Sequence, residues 1–263
     1  MQQIISAKLK SKLLKREVPF RVILPENYSE TKKGYPVLFL LHGLFGSCEN
    51  WLELTKIKDY LTNKEFVAVL VEGENGWYSD SAIIENNRFE SYILEELIPL
   101  IESEFQILAQ KEKRAIAGLS MGGYGALKFG LKRPDLFCFA GSMSGAFDAP
   151  NRNSIKDGFG AEELNPSILQ VFGEGENICR NQNDVFQLIK NYPVEEFSRL
   201  PYFYLDCGVE DGFLEINRNF ADLLEEKEIP FEFHEIKGGH DWNYWDKQLP
   251  VILNIAAKIF NQI

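Results

Sequence analysis

The chain contains few of the residues that reveal redox or metal chemistry. Its 263 residues include four cysteines and three histidines. No cysteine pair has the CxxC spacing of a metal or redox site. Cys138 and Cys207 lie inside apolar runs, which favours buried, reduced thiols of the kind found in cytoplasmic proteins. The sequence therefore predicts neither a metal nor a cofactor.

Long apolar runs and positive charge are also scarce. No run is long enough to span a bilayer, and the N-terminal MQQIISAKLKSKLLKREV lacks the continuous apolar segment of a signal peptide. The formal net charge is -11, which argues against nucleic acid or an anionic membrane as the main partner. We therefore expect a cytoplasmic protein without a membrane span, and homo-oligomerisation stays open.

The pattern along the chain is that of one α/β domain, residues 1–263, without repeats or linkers. Apolar runs such as PVLFLLHG and FVAVLVEG are typical of strands buried on both faces, and helical segments alternate with them. This predicts a mostly parallel central sheet with helices on both faces, preceded by an antiparallel hairpin. The long polar segment 147–199 interrupts the alternation, which predicts a lid or a substrate wall.

The stretch IAGLSMGGYGAL carries the strongest chemical signal. Residues 118–122 match G-x-S-x-G between a predicted strand and a predicted helix, which is the context of a nucleophile elbow. Such a turn lifts the serine Oγ above the sheet, and side chains two residues to either side would collide with neighbouring backbone. Ser120 is therefore the predicted nucleophile. The alternative is an incidental serine in a glycine-rich turn.

A nucleophilic serine needs a base, and the histidines are few enough to compare one by one. In this context the chain order is Ser, then Asp or Glu, then His. His42 precedes the serine, and His234 lies in the strand-like run FEFHEIK, where a packed or solvated ring is expected. His240 follows a strand in KGGHDWNYW, on a loop that can carry the ring to the top of the sheet. His240 is therefore the predicted base.

The orienting acid is expected in YFYLDCGVEDGFL. Asp206 lies within the predicted strand, where a structural role is expected, whereas Asp211 lies in the turn beyond it. Asp211 is preferred over Glu210 because a short side chain on a tight turn fixes an imidazole better. Its alternative role is an N-terminal helix cap.

Backbone amides and loop aromatics complete the predicted site. An oxyanion hole needs two N–H donors, and we expect them at Met121, after the nucleophile, and at Leu44, in the loop after PVLFLLHG. A plain glycine turn is the alternative for the second loop. Aromatic residues in loops above the sheet suit an acyl chain or a ring, although they could instead pack beneath the loops. The predicted substrate contacts are Trp77, Tyr78, Phe147 and Trp242.

Five segments in order resemble one known family. LLHGLFGSCENW, AIAGLSMGGYGAL, GSMSGAFD, CGVEDGFL and GGHDWNYW are similar to the putative esterase family of α/β-hydrolases, from about Pro36 to Leu249. That family includes esterase D, tributyrin esterases, feruloyl and acetyl-xylan esterases and the antigen 85 mycolyltransferases. The resemblance implies an α/β-hydrolase fold and no cofactor. It also implies an ester substrate, a Ser120–Asp211–His240 triad and oxyanion amides at Leu44 and Met121.

The resemblance also bears on the substrate. VEGENGWYSDS is similar to a segment of small bacterial carboxylesterases, so we expect a serine esterase that acts on short acyl or aryl esters. S-formylglutathione hydrolases carry a cysteine at the position of Gly46, and Cys48 is offset from it by two residues. This departure weakens a thioesterase function without excluding it. Acyl transfer by the same triad is a further alternative, and a non-catalytic binding protein is disfavoured because the triad residues are all present.

Overall fold

The computed structural model describes residues 2–152 and 158–262. Its eight strands are β1 (Ile4–Ser11), β2 (Arg16–Ile23), β3 (Val37–Leu41), β4 (Val67–Val71), β5 (Arg114–Leu119), β6 (Phe139–Met143), β7 (Tyr202–Gly208) and β8 (Phe231–Ile236). They form one sheet in the order β1-β2-β4-β3-β5-β6-β7-β8. The hairpin β1–β2 pairs antiparallel, as does β2 with β4, and every other pair is parallel. The predicted mostly parallel sheet with a leading hairpin is confirmed.

Helices cover both faces of this sheet. They are α1 (Asn50–Glu53), α2 (Ile57–Tyr60), α3 (Phe89–Ser91), α4 (Ile98–Glu104), α5 (Met121–Lys132), α6 (Ala161–Phe172), α7 (Ile178–Asn183), α8 (Val185–Lys190), α9 (Leu214–Glu226) and α10 (Trp242–Gln262). A π-helical stretch, Tyr92–Leu97, joins α3 to α4. In the described part of the chain, none of the helices combines the length and apolarity needed to cross a bilayer.

Alternate residues of each inner strand belong to two separate cores. On β3, Val37 and Phe39 pack into the core that contains α5 and α9, whereas Leu38 and Leu40 pack into the core that contains α10. Each such side chain contributes about 1.5–3 kcal/mol on burial, so the register of these strands is strongly specified. The parallel strands therefore end together, and the loops after their carboxyl ends share one edge of the sheet.

The segment 147–199 leaves the sheet between β6 and β7 and contains α6, α7 and α8. Residues 153–157 of this predicted lid lie outside the described residues. Arg180 is 3% exposed, and its guanidinium donates hydrogen bonds to the carbonyls of Pro150, Arg152 and Gly173. This buried cation therefore ties the start of the segment, at Pro150 and Arg152, to Gly173 at the end of α6.

A fully buried lysine joins this segment to the rest of the molecule. The Lys128 amine on α5 donates to the Tyr78 carbonyl at 2.7 Å, to Glu90 Oε2 at 2.8 Å and to Asn183 Oδ1 at 3.2 Å. Burial lowers the pKa of Lys128 to about 8, although Glu90 opposes the shift. One amine thus connects three separate parts of the chain.

Candidate active site

Ser120 lies on a sharp turn between β5 and α5, with φ 52° and ψ -117°. A Cβ on Gly118 would lie 2.5 Å from the carbonyl atoms of Gly122, and one on Gly122 would lie 2.2 Å from the carbonyl oxygen of Leu41. Real Cβ atoms do not approach backbone so closely, so both positions require glycine. The Ser120 amide donates to the Met143 carbonyl on β6 at 2.9 Å, which anchors the strained turn.

The structure brings Ser120, His240 and Asp211 together in one hydrogen-bonded chain. His240 Nε2 lies 3.0 Å from Ser120 Oγ, and His240 Nδ1 lies 2.9 Å from Asp211 Oδ2. Because an ionised carboxylate only accepts, Nδ1 carries a proton and Nε2 is left to accept the serine proton. Edge-to-face packing on Trp245, with ring centroids 4.9 Å apart, holds the imidazole in place. The arrangement can activate a serine for attack on a carbonyl carbon.

Asp211 is buried and charged in this arrangement. Its second oxygen, Oδ1, accepts the Phe213 amide at 2.8 Å, so the carboxylate also braces the turn before α9. Burial by itself raises the pKa of Asp211, but the hydrogen bond and charge of His240 and the Phe213 amide outweigh it and bring the pKa below its ordinary value. The alternative role as an N-terminal helix cap is not observed, because the cap residue of α9 is Phe213 and no side chain caps this helix.

The competing acids and histidines lie elsewhere. Asp206 is fully buried and accepts from the Tyr244 hydroxyl at 2.8 Å, and Glu210 is exposed to solvent. His234 lies on the edge strand β8 beside Glu232, with 50% of its side chain exposed. His42 is fully buried against Glu72 and has no part in the serine contact.

Two backbone amides near Ser120 are available to an oxyanion. Met121 is the first residue of α5, so its amide has no acceptor within the helix. The Leu44 amide donates to no partner within the described part of the chain. Gly43 approaches the nucleophile closely, because a Cβ on it would lie 3.4 Å from Ser120 Cβ.

A cleft of about 400 Å³ opens above the serine. Among the residues that the structure describes, no Lys, Arg, Asp or Glu lines it. Ser120, His240 and Leu44 border it, and Trp242 lies on its wall. The remaining lining residues are Gly43, Phe45, Gly46, Asn50, Leu54, Leu119, Leu164 and Trp245.

The prediction that Trp77, Tyr78 and Phe147 contact substrate is wrong for this structure. All three are fully buried and none lines the cleft. Trp77 and Tyr78 have φ of 50° and 49°, a left-handed pair that turns both rings into the core. Phe147 packs on Phe220 of α9, with ring centroids 4.8 Å apart. The sequence showed aromatic residues in loops, but their direction depends on backbone angles that residue type alone does not determine.

Other apolar residues occupy the mouth of the cleft and were not singled out from the sequence. Phe45 is 67% exposed and Leu54 is 46% exposed, and Leu164 reaches the wall from α6. Phe45 also has φ 62°, an uncommon conformation for a bulky residue. Its position directly after His42-Gly43-Leu44 could have identified it as a cleft residue, because that loop is expected beside the serine.

The four cysteines are free, with Cys48 and Cys207 buried and Cys138 and Cys179 partly buried. Across residues 2–152 and 158–262, no group of three or more His, Cys, Asp or Glu side chains is placed to hold a metal ion.

Comparison with known proteins places the chain among esterases. A family model described as Putative esterase matches residues 11–187. The chain is 31% identical over 257 residues to the acetyl esterase of Caldicellulosiruptor saccharolyticus, covering 95% of this chain and 96% of that protein.

Solved structures agree with this assignment. A ferulic acid esterase superposes with a TM-score of 0.83 at 26% identity, covering 98% of both chains. The S-formylglutathione hydrolase of Staphylococcus aureus superposes with a TM-score of 0.81 at 26% identity, covering 98% of this chain and 99% of that one. The chain therefore belongs to the Putative esterase family and is a carboxylic ester hydrolase with an α/β-hydrolase fold.

Proposed function

We propose that the protein is a serine carboxylesterase that hydrolyses small neutral esters through a Ser120–His240–Asp211 triad. The observation that carries the proposal is the continuous chain of contacts, 3.0 Å from Ser120 Oγ to His240 Nε2 and 2.9 Å from His240 Nδ1 to Asp211 Oδ2. Residues 1–263 act as one domain in this proposal, with segment 147–199 as a substrate wall.

The proposed reaction has two halves. His240 Nε2 takes the Ser120 proton as Oγ attacks the ester carbonyl carbon, and Asp211 stabilises the resulting imidazolium. His240 then gives that proton to the leaving alcohol, which leaves an acyl group on Ser120. Water, deprotonated by His240 in turn, attacks this acyl-enzyme, and the released Ser120 oxygen recovers the proton.

The Leu44 and Met121 amides are the proposed oxyanion donors. Charge develops on the carbonyl oxygen only as Ser120 attacks, so donors already aimed at that position stabilise the transition state more than the substrate. Each such donor lowers the barrier by about 3 kcal/mol in acyl-transfer enzymes. The sharp turn at Ser120 supports this role for Met121, because it leaves the first amide of α5 beside the nucleophile.

The lining of the cleft supports neutral substrates. Phe45, Leu54, Leu164 and Trp242 give it an apolar wall, and no formally charged side chain lines it in the described residues. An ionised substrate group would have to give up water without gaining an opposite charge. Short acyl and aryl esters fit this wall.

S-formylglutathione hydrolysis is the second candidate, supported by the similarity to the staphylococcal enzyme of that name. Glutathione carries ionised carboxylates, for which the described cleft offers no cationic partner. The cysteine-to-glycine difference at Gly46 also weighs against it. Acyl transfer to an alcohol would use the same residues and would yield an ester instead of a free acid.

The deciding experiment is a hydrolysis panel on purified protein. We expect p-nitrophenyl acetate, longer p-nitrophenyl esters or methyl ferulate to be hydrolysed faster than S-formylglutathione. Ser120→Ala should reduce turnover by at least about 10⁴-fold. Ser142→Ala is the matched control, because Ser142 is a buried serine whose Oγ has no partner in the described structure. Near-normal turnover by Ser120→Ala, with the fold intact, would refute the triad.

A further inference from the structure

A second histidine–carboxylate pair lies beside the proposed oxyanion hole. His42 directly follows β3 and Glu72 directly follows β4, and the register of these parallel strands pairs Leu41 with Val71. The two side chains are thus neighbours at the carboxyl edge of the sheet. His42 is fully buried and Glu72 is 5% exposed. Neither residue lines the cleft, so neither is in position to react with substrate.

The contacts of His42 determine which ring nitrogen carries a proton. Nδ1 lies 2.7 Å from the Gly43 carbonyl oxygen, and since a carbonyl only accepts, Nδ1 is the donor. Nε2 accepts the Gly73 amide N–H at 3.0 Å and also lies 3.0 Å from Glu72 Oε1. The ring is therefore held on both sides and presents its Nδ1 proton to one backbone oxygen.

Glu72 is itself held by backbone. Its Oε2 accepts the Cys48 amide at 3.0 Å, and its Oε1 accepts the Glu74 amide at 2.8 Å. Burial raises the pKa of Glu72, but His42 and these two amides more than compensate, so the pKa lies below its ordinary value. The charged carboxylate ties the end of the loop near Cys48 to the turn after β4.

The Gly43 carbonyl connects this pair to the reaction centre. It accepts a second hydrogen bond from the Gly46 amide at 3.1 Å, so two donors fix the peptide between Gly43 and Leu44. In a planar trans peptide the C=O and N–H bonds point in opposite directions. Holding this carbonyl against His42 therefore turns the Leu44 N–H the other way, and Leu44 borders the same cleft as Ser120.

We propose that His42, supported by Glu72, is a positioning residue that aims the Leu44 amide at the oxyanion. The inference rests on the proposed function, in which Leu44 is one of the two donors. Tyr78 helps to hold the backbone of His42, because its buried hydroxyl donates to the His42 carbonyl at 2.9 Å. The pair acts mainly on the transition state, since the Leu44 amide binds the substrate oxygen most strongly when that oxygen is charged.

The test compares two substitutions of the same side chain. His42→Leu removes the donor to Gly43, whereas His42→Asn offers an amide N–H close to the position of Nδ1. We expect His42→Leu to lower kcat by about 10- to 100-fold with KM changed less than about 3-fold. This decrease is smaller than the roughly 10²- to 10³-fold loss of kcat on removal of an oxyanion donor, because the Leu44 amide is still present but points in a less favourable direction. His42→Asn should recover most of kcat.

A transition-state analogue separates positioning from general damage. A trifluoromethyl ketone forms a tetrahedral oxyanion on Ser120, so its inhibition constant should rise in His42→Leu by the same factor by which kcat/KM falls. Tyr35→Phe is the matched control: it removes a hydroxyl that donates to the Asn27 carbonyl from a fully buried ring. It should leave kcat and the inhibition constant unchanged per folded molecule, as counted by active-site titration.

The outcomes distinguish the two proposals. Wild-type kcat and unchanged analogue affinity in folded His42→Leu would overturn the positioning role while Ser120→Ala still abolished hydrolysis. Activity that survives Ser120→Ala would instead refute the proposed function. If His42→Leu does not fold, Glu72→Gln provides the measurement, because it keeps the shape of the side chain and removes its charge. We expect a 3- to 10-fold lower kcat for it, and an unchanged kcat would overturn the proposal.

Discussion

Two histidine–carboxylate pairs lie at the same edge of the sheet. They differ in the groups that the histidine Nε2 contacts. In the His240–Asp211 pair, Nε2 lies 3.0 Å from the Ser120 hydroxyl, and 21% of the histidine side chain is exposed. In the His42–Glu72 pair, the ring is fully buried and its nitrogens face only backbone and the carboxylate.

The difference shows that a carboxylate beside a histidine does not by itself define a base. Both carboxylates are buried, and in both the histidine and backbone amides bring the pKa below its ordinary value. The pKa values of the two carboxylates are therefore shifted in the same direction. The difference is the Ser120 hydroxyl, which lies within hydrogen-bond distance of the His240 ring but not of the His42 ring.

A third buried carboxylate sharpens the contrast. Asp206 has no histidine partner; burial raises its pKa to about 7, and the hydrogen bond from Tyr244 offsets this only in part. The same edge of the sheet thus holds carboxylates shifted in opposite directions, according to whether a cation-forming partner is present.

The largest expected effect comes from His240. His240→Ala removes the proposed base, so kcat should fall by about 10⁴- to 10⁶-fold, far more than for any His42 variant. Steady-state hydrolysis of a p-nitrophenyl ester measures it, with circular dichroism to check the fold. Equal decreases in kcat for His240→Ala and His42→Asn would contradict the different roles assigned to the two pairs.

The next effect concerns the carboxylate of the reactive pair. Asp211→Asn keeps the size of the side chain but can stabilise the wrong imidazole tautomer, so kcat should fall by about 10⁴-fold. Its matched counterpart is Glu72→Gln, for which a 10-fold loss or less is expected. Comparison of the two kcat values on one substrate is the measurement. A loss for Asp211→Asn no greater than for Glu72→Gln would place the acid elsewhere.

Asp206, which is hydrogen-bonded to a tyrosine instead of a histidine, should affect stability instead of rate. The folded-state pKa of Asp206 is raised from 3.8 to about 7, so its contribution to stability is complete below the lower value and is lost as pH rises to the upper one. The loss amounts to about 4 kcal/mol at about 1.36 kcal/mol per pKa unit. Asparagine does not ionise, so Asp206→Asn should gain stability relative to the wild type between about pH 4 and about pH 8.

Urea unfolding of both proteins at the two pH values tests this expectation. Glu72 and Asp211 have lowered pKa values, so their contributions are present above their unfolded-state pKa values and are lost as pH falls through the folded ones. That acid loss is common to both proteins and cancels in the difference. A wild-type–variant gap that does not change with pH would mean that Asp206 is not protonated in the folded state near neutrality.

The smallest effect comes from the hydroxyl behind the buried pair. Tyr78→Phe removes the donor to the His42 carbonyl, so kcat should fall about 2- to 5-fold and the free energy of unfolding by about 1–2 kcal/mol. Tyr124→Phe removes a similarly buried hydroxyl, which donates to the Asn183 carbonyl at 2.8 Å. It should cost similar stability without lowering kcat. Equal kcat values for the two variants would mean that the Tyr78 hydroxyl does not help to position the Leu44 amide.

Local sequence predicted the parts of this site that depend on chain order and on steric necessity. Gly118 and Gly122 predicted the sharp turn, since nothing larger fits against the Leu41 carbonyl. Strand ends predicted that Asp211 and His240 would meet at one edge. The pairing of His42 with Glu72 had a similar signal, because HG and EG follow two strands at equivalent positions, but strand adjacency and register were needed to recognise it.

Side-chain direction could not be predicted in the same way. Tyr78 looked like a substrate contact because it is an aromatic residue in a loop, yet its left-handed backbone turns it inward. Leu164 comes from the segment 147–199, whose path depends on distant contacts such as those of Arg180. Such contacts join residues far apart in sequence, and no local pattern encodes them.

The buried amine of Lys128 has a consequence for redesigning this enzyme. It holds Asn183, the last residue of α7, to Tyr78, whose hydroxyl donates to the His42 carbonyl beside Gly43 and Leu44. The part of that segment that reaches the cleft, α6 with Leu164, comes earlier in the chain. Because Ile168 and Val171 of α6 are fully buried and Trp77 Nε1 donates to Ser167 Oγ at 2.9 Å, the helix itself belongs to the core. A change in which esters are accepted is therefore best sought at the cleft-lining Leu164, with the rest of α6 and the Lys128 contacts left intact.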